Sequence, residues 1–169
     1  MTDAALPPLP SGERIQELLF EAARRGRDDM IDALVQAGGD IEGFNSQGHT
    51  PLILASYNGN ASTTAILIDK GASVDTPDLG RGNTALMGCV FKGYDEIAAL
   101  LINAGADVNK RNAADQTAIM LAAMFARDAI VDLLLGAGAN PALVDAVGNS
   151  AASVAAAQNN FIMANRLAS

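Results

Sequence analysis

The sequence predicts an all-α solenoid, with helix-turn-helix units stacked in line and joined by short β-turn loops. Three observations predict it. A turn-and-helix start recurs as Gly48-His49-Thr50-Pro51-Leu52, Gly82-Asn83-Thr84-Ala85-Leu86, Asp115-Gln116-Thr117-Ala118-Ile119 and Gly148-Asn149-Ser150-Ala151-Ala152. Its spacing is 34 residues from Thr50 to Thr84 and 33 at each of the next two steps, a period that marks stacked supersecondary units. A second anchor keeps the same register, as Gly38-Gly39-Asp40-Ile41, Gly71-Ala72-Ser73-Val74, Gly105-Ala106-Asp107-Val108 and Gly138-Ala139-Asn140-Pro141. Finally, 50% of the residues are apolar, yet there are two Tyr, five Phe and no Trp. The core must then be thin layers of Ala, Leu, Ile and Val, as in a chain whose units each bury one face against a neighbour.

The stretch 82–109 shows how each element arises. Gly82 and Asn83 make a turn, and Thr84 stands where its hydroxyl can cap a helix N-terminus. A short helix follows from Ala85 to Phe91, and Gly93 ends it in a left-handed conformation that carries no Cβ penalty. Asp95 and Glu96 open a second helix, where negative charge suits the positive end of the helix dipole. Ile97, Leu100, Leu101 and Ile102 recur at helical spacing and are expected to face inward. Gly105 stops this helix, and Asp107-Val108-Asn109 is expected to run extended into the next turn. Helices this short are marginal alone in water, so they must be held by packing between units. The stretch Asp75 to Gly82 carries the one-residue irregularity in the period and should form the longest loop.

This turn–helix–helix pattern resembles the ankyrin repeat. Thr50-Pro51-Leu52-Ile53-Leu54-Ala55 is similar to that family's helix-opening motif, and Gly105-Ala106-Asp107-Val108-Asn109 to its closing motif. The likeness covers about residues 12–169 and implies an ankyrin-type solenoid of about five units. These are 12–44 (an N-terminal cap unit), 45–78, 79–111, 112–144 and 145–169 (a C-terminal cap unit), with 1–11 as a flexible tail rich in proline. Ile53, Met87, Met120 and Ser153 stand where the family usually has His, so the turns are expected to be tied by apolar contact rather than by His-mediated hydrogen bonds. Ala126 and Asn159 replace the Gly that usually ends the first helix. Gly82 to Gly88, followed by Phe91-Lys92-Gly93, resembles compact bacterial ankyrin proteins, some of which accompany catalases or toxins.

Composition narrows the function. A net charge of −8 disfavours nucleic acid and anionic membrane as ligands, since both are negative. One cysteine, Cys89, excludes an internal disulfide and a Cys-rich metal site. The start has no basic n-region, and the longest apolar run, 118–126, is too short to span a bilayer, so a cytoplasmic protein is expected. His49 sits in a turn with no nucleophile arranged beside it. Cys89 falls where other units have Ala22, Ala55, Ala122 and Ala155, a small buried helix position. The carboxylates Asp28, Asp29, Asp32, Asp95, Glu96, Asp128 and Asp132 recur at the openings of second helices and along them, where helix-end electrostatics explain them. No catalytic, metal-binding or cofactor-binding residue is expected, and the chain reads as a non-enzyme.

The resemblance implies that turns and first helices line a concave face and that second helices form the back. The residues two places before the helix-ending position are Arg24, Tyr57, Phe91, Met124 and Ala157; the next are Arg25, Asn58, Lys92, Phe125 and Gln158. Three of the seven aromatic residues of the chain fall in these two rows, in consecutive units. With Arg81, Lys110 and Arg111 on the turns, the expected face is apolar at its centre and basic at its rim, on an acidic body. The expectation is a protein-protein interaction module, monomeric on its own, that binds a partner protein and regulates or inhibits a bacterial enzyme. Two other readings stand beside it. One is a thiol- or small-molecule-responsive regulator built on Cys89, Met87, Met120 and Met124. The other is a structural protein that self-associates through the stripe or through an end unit.

Overall fold

The computed structural model of the chain describes residues 10–168. The elements among them are α1 (Gly12–Arg25), α2 (Asp28–Gln36), α3 (Pro51–Tyr57), α4 (Ala61–Asp69), α5 (Ala85–Lys92), α6 (Asp95–Asn103), α7 (Ala118–Met124), α8 (Asp128–Gly136), α9 (Ala151–Ala157) and α10 (Phe161–Leu167). No strand forms among the described residues; an isolated antiparallel bridge joins Val144 and Ser150. Each odd-numbered helix pairs with the one that follows it. The odd helices α1, α3, α5, α7 and α9 pack in sequence as one layer, and α2, α4, α6 and α8 pack as the other. This is an all-α solenoid of ankyrin type.

Capping explains where the first helices start. The hydroxyls of Thr50, Thr84 and Ser150 accept the backbone N–H of Ile53, Met87 and Ser153 at 3.3, 3.4 and 3.3 Å. Thr117 departs from the pattern: it stands at the N-cap of α7, yet its buried Oγ1 has no hydrogen-bond partner among the described residues. The tail expected at 1–11 lies outside the described residues except for Pro10 and Ser11, and Ser11 caps α1 by accepting the N–H of Arg14 at 3.3 Å. The first helices end at left-handed residues, among them Gly93 with φ +79° and, without the freedom of glycine, Ala126 with φ +51° and Asn159 with φ +60°.

The core runs as columns through the stack. Leu34, Leu67, Leu101, Leu134 and Leu167 repeat at one register of the second helices, and all are buried. Burying such a side chain is worth about 1.5–3 kcal/mol. Ile97 and Leu101, one turn apart, are fully buried, whereas Leu100 and Ile102 flank them and are only half-buried, so the expected inward face is narrower than four residues.

Two expectations about the turns are corrected. The stretch 107–109 bends rather than runs extended, because the Asp107 side chain accepts the N–H of Asn109 at 2.9 Å. The turns are also tied by hydrogen bonds between units, beside the apolar contact of the buried Ile53, Met87 and Met120. The N–H of Leu79 donates to Gly48 O at 3.0 Å, that of Ala113 to Arg81 O at 2.9 Å, and that of Ala146 to Ala114 O at 3.1 Å. Glu42, Asp75 and Asn109 accept the backbone N–H of Ser73, Asp107 and Asn140 at 2.7, 3.0 and 2.8 Å, each reaching from one unit to the next. The physical reason is that backbone donors at a bend have no helical partner and must find an acceptor; short carboxylate and amide side chains supply it here. The loop 70–84 is one residue longer than 37–50, 104–117 and 137–150. Asp78 absorbs the extra residue, its two oxygens taking the N–H groups of Gly80, Arg81, Gly82 and Asn83 at 2.8, 2.6, 3.2 and 3.1 Å.

Candidate functional site

The first-helix layer brings three rings together. Tyr57 closes α3, Phe91 lies near the end of α5, and Phe125 caps α7, so the helix ends aim all three to one side. Tyr57 and Phe91 stack with centroids 6.3 Å apart and planes 4° from parallel. Phe91 meets Phe125 edge-on at 4.9 Å and 90°. Both arrangements are favoured by the ring quadrupoles. The Lys92 ammonium lies 4.6 Å from the Tyr57 centroid, a cation–π contact that fixes a positive charge beside the rings. The cluster is not core: Tyr57 is 40% and Phe91 44% exposed, while Met124 and Phe125 are half-buried. Gly88 helps to shape it, since the Tyr57 ring lies over α5 where Leu54 and Leu121 occupy the same register in neighbouring units.

The other expected residues fall into two groups. Arg24 and Arg25 are exposed at the end of α1, with Arg25 paired to Glu21 at 3.0 Å. Asn58 turns its amide back to Leu54 O at 2.8 Å, and Gln158 is exposed on the last unit. On the turns, Arg81 is exposed, Lys110 is half-buried, and Arg111 donates to Val144 O at 3.2 Å in the next unit. The structure thus joins Tyr57, Phe91, Lys92 and Phe125 in direct contact, while the remaining basic residues lie around them on helix ends and turns.

Sequence reasoning missed two features. The first is a groove of about 470 Å³ between α1 and the first turn, lined in part by Phe20, Arg24, Arg25 and an exposed Phe44. Its signal was the absence of a turn motif before α1, which is 14 residues long against seven for α3. The second is a set of residues at the starts of second helices that reach back to the preceding unit. Asn60 donates to Ala23 O at 3.0 Å and Arg24 O at 2.9 Å, and Arg127 donates to Phe91 O at 3.0 Å. They satisfy carbonyls that a helix end leaves free and hold the ends that carry Arg24 and Phe91.

Cys89 is buried, its thiol donating to Leu86 O at 3.1 Å, and burial pushes its pKa up to about 12. It stays protonated at neutral pH, and the thiol form is a poor nucleophile. His49 is half-buried in its turn, its backbone N–H held by Asn45 at 2.9 Å. Among the described residues, no group of three or more His, Cys, Asp or Glu is placed to hold a metal ion, and no helix is long and apolar enough to cross a membrane.

Helical hairpins tied unit to unit, with exposed rings and cations on the first-helix side, define a helical-repeat scaffold with an exposed aromatic face. Family comparison agrees. The model for three copies of ankyrin repeats matches residues 19–112, and the model for a single ankyrin repeat matches 115–146. The chain belongs to the ankyrin repeat family. It is 36% identical to an ankyrin repeat-containing protein of Treponema pallidum (strain Nichols) over 136 residues, which is 80% of this chain and 46% of that protein. It is 31% identical over 105 residues to ankyrin repeat and SAM domain-containing protein 6 of Mus musculus, covering 62% of this chain and 12% of that protein. Ankyrin repeat domain-containing protein SAT10 of Stachybotrys chartarum is 34% identical over 125 residues, 74% of this chain and 6% of its own length. The chain spans less than half the length of these relatives.

Proposed function

We propose that this chain is a non-enzymatic binding module that grips one partner protein on its concave face. The observation that carries the reading is the contact of Tyr57, Phe91 and Phe125 on an exposed face, from a chain with two Tyr and five Phe. Exposed, preorganised aromatic clusters act as interface anchors, since two-χ side chains lose little freedom on binding. Lys92, Arg24 and Arg25 on the helix ends, with Arg81, Lys110 and Arg111 on the turns, favour a partner whose apolar anchor is ringed by carboxylates. The specific form of the proposal is control of an enzyme in a bacterial cytoplasm. It draws on the resemblance of Gly82 to Gly93 to compact bacterial ankyrin proteins and on the likeness to the Treponema pallidum protein.

The test passes an extract of the native host over immobilised wild type and over a Tyr57→Ala, Phe91→Ala, Phe125→Ala variant with an unchanged far-ultraviolet circular dichroism spectrum. Truncating such anchors removes about 2 kcal/mol or more of binding energy, roughly thirtyfold in affinity. The partner should therefore be retained by the wild type alone and be released by salt. Equal retention on both columns refutes the aromatic grip.

A further inference from the structure

Successive turns are joined by a ladder of main-chain hydrogen bonds, and the ladder stops at the first turn. In each later turn the residue after the opening Asn or Asp donates its N–H to the turn before it: Leu79 to Gly48 O, Ala113 to Arg81 O and Ala146 to Ala114 O. Ser46 holds that register in the first turn, after Asn45, and its N–H has no acceptor among the described residues. The cause lies in α1. Residues 12–17 stand 33 positions before 45–50 and are helix, so the first unit builds no turn there. One lost acceptor is replaced: Asp40, at the register of Ser73, Asp107 and Asn140, donates its N–H to Gln16 Oε1 at 2.7 Å. The acceptor for Ser46 is not replaced, and Ser46 lines the groove of about 470 Å³ beside α1.

We propose that this groove takes an extended segment of a partner protein, with a carboxylate two residues from an apolar side chain. A carbonyl of that segment accepts the Ser46 N–H in place of the absent turn. The lining selects this occupant. Phe44 is 39% exposed, and Phe20 is half-buried although Ile53, Met87 and Met120 at its register are buried, so the groove has an apolar floor. Its carboxylates are already paired, Glu17 with Arg14 at 2.9 Å and Glu21 with Arg25 at 3.0 Å. That leaves Arg24 as the cation of the lining with no carboxylate beside it among the described residues. Phe20 and Arg24 are one helical turn, about 6 Å, apart along α1. Side chains i and i+2 of an extended chain stand about 6.6 Å apart and point the same way, so one such pair meets both. The main-chain bond supplies affinity and the side-chain pair specificity, as when a strand is added to a sheet edge. The site lies between α1 and the first turn and uses none of Tyr57, Phe91 and Phe125, so it goes beyond the aromatic grip.

The probe is a short fluorescent peptide repeating leucine-serine-aspartate-serine, blocked at both ends and titrated into the full chain by anisotropy. Amide hydrogen exchange read by NMR locates the contact. The peptide should bind and should slow exchange at Ser46. Ser46 is the second residue of a turn closed by Gly48 N–H on Asn45 O at 2.9 Å, a position that favours proline. Ser46→Pro therefore removes the donor and keeps the turn, and it should weaken binding about fivefold. Ser46→Ala keeps the donor and should bind like the wild type. Arg24→Gln should weaken binding about tenfold or more, and a peptide with lysine for aspartate should bind more weakly still. The Tyr57→Ala, Phe91→Ala, Phe125→Ala variant should hold the peptide like the wild type, so a failure of the aromatic grip leaves this site standing. No binding by the full chain overturns the proposal. So does a Ser46 amide protected before any peptide is added, which would mean that the chain's own residues or a second copy fill the groove. Unweakened binding by Ser46→Pro or Arg24→Gln, equal binding of the lysine peptide, or loss of binding in the aromatic variant overturns it as well.

Discussion

Thr84 and Thr117 occupy the same register in neighbouring units, and the local sequences Thr84-Ala85-Leu86-Met87 and Thr117-Ala118-Ile119-Met120 are nearly alike. Both side chains are buried. Only Thr84 uses its hydroxyl as a cap, accepting Met87 N–H at 3.4 Å; Thr117 Oγ1 has no partner among the described residues. Valine has the same shape without the oxygen. Thr84→Val strips a buried N–H of its acceptor, and since the bond is long the cost should be about 1 kcal/mol, within the usual range for a lost cap. Thr117→Val removes a polar group that folding desolvates without return, so it should stabilise by about 1 kcal/mol. The two variants should then differ by about 2 kcal/mol, or roughly thirtyfold in the unfolding equilibrium. Urea unfolding followed by circular dichroism reads this as midpoints displaced in opposite directions at an unchanged slope. Equal destabilisation by the two substitutions would refute the reasoning, because it would mean that Thr117 caps α7 as Thr84 caps α5.

Three further outcomes are expected. Ala126 sits at φ +51°, a left-handed conformation that disfavours a Cβ by about 1–2 kcal/mol, so Ala126→Gly should stabilise by about 0.5–1 kcal/mol after the entropy of glycine is subtracted, measurable as a raised urea midpoint. Cys89, with its pKa pushed up to about 12 by burial, should resist a thiol reagent at pH 7 and react only at the rate at which the stack opens; fast labelling of native protein would contradict its packed position. Asp145 and Asp29 have carboxyls held below the ordinary range, Asp145 chiefly by the Asn149 backbone N–H and Asp29 chiefly by the Arg27 guanidinium. Their contribution is complete above the unfolded pKa of about 3.9 and is lost as pH falls through the lowered folded value. Thermal melts should therefore weaken below about pH 4, and Asp145→Asn should lessen that acid dependence; an unaltered pH profile would count against the turn assignment.

The period and its two anchors were enough to read the stack, because each anchor answers a local need: a hydroxyl or glycine where a short helix begins or ends. What tied the turns together was harder to read. Asn45, Asp78, Asn112 and Asp145 recur at one register and each accepts backbone N–H groups of its own turn. That repeat was visible in the sequence, but a lone Asn or Asp in a turn has too many local roles to single out. Glu42, Asp75 and Asn109 were less legible still, since they act across units and differ in chemistry. The aromatic stripe could be read from register alone because repetition aligns side chains that lie far apart in the chain. The groove beside α1 could not, since it arises where the repeat is broken.

The position of the rings within the stack bears on how they would work. Tyr57, Phe91 and Phe125 belong to α3, α5 and the end of α7, helices that each have a first-helix neighbour on both sides. The register of Tyr57 and Phe91 carries Arg24 and Ala157 in the flanking units, and that of Phe125 carries Arg25 and Gln158. In a linear array, stability is a sum of intrinsic and neighbour terms, so a unit packed on both sides opens less easily than one packed on a single side. Rings on helices packed from both sides are therefore held in place before any partner of the proposed kind arrives, which lowers the entropic cost of association. Arg127 strengthens the arrangement from behind, its guanidinium holding Phe91 O and lying against Gly93, where a Cβ would come within 2.8 Å of it. Gly93, with φ +79° and no side chain, is thus required twice, once by the backbone and once by the arginine that steadies the middle ring.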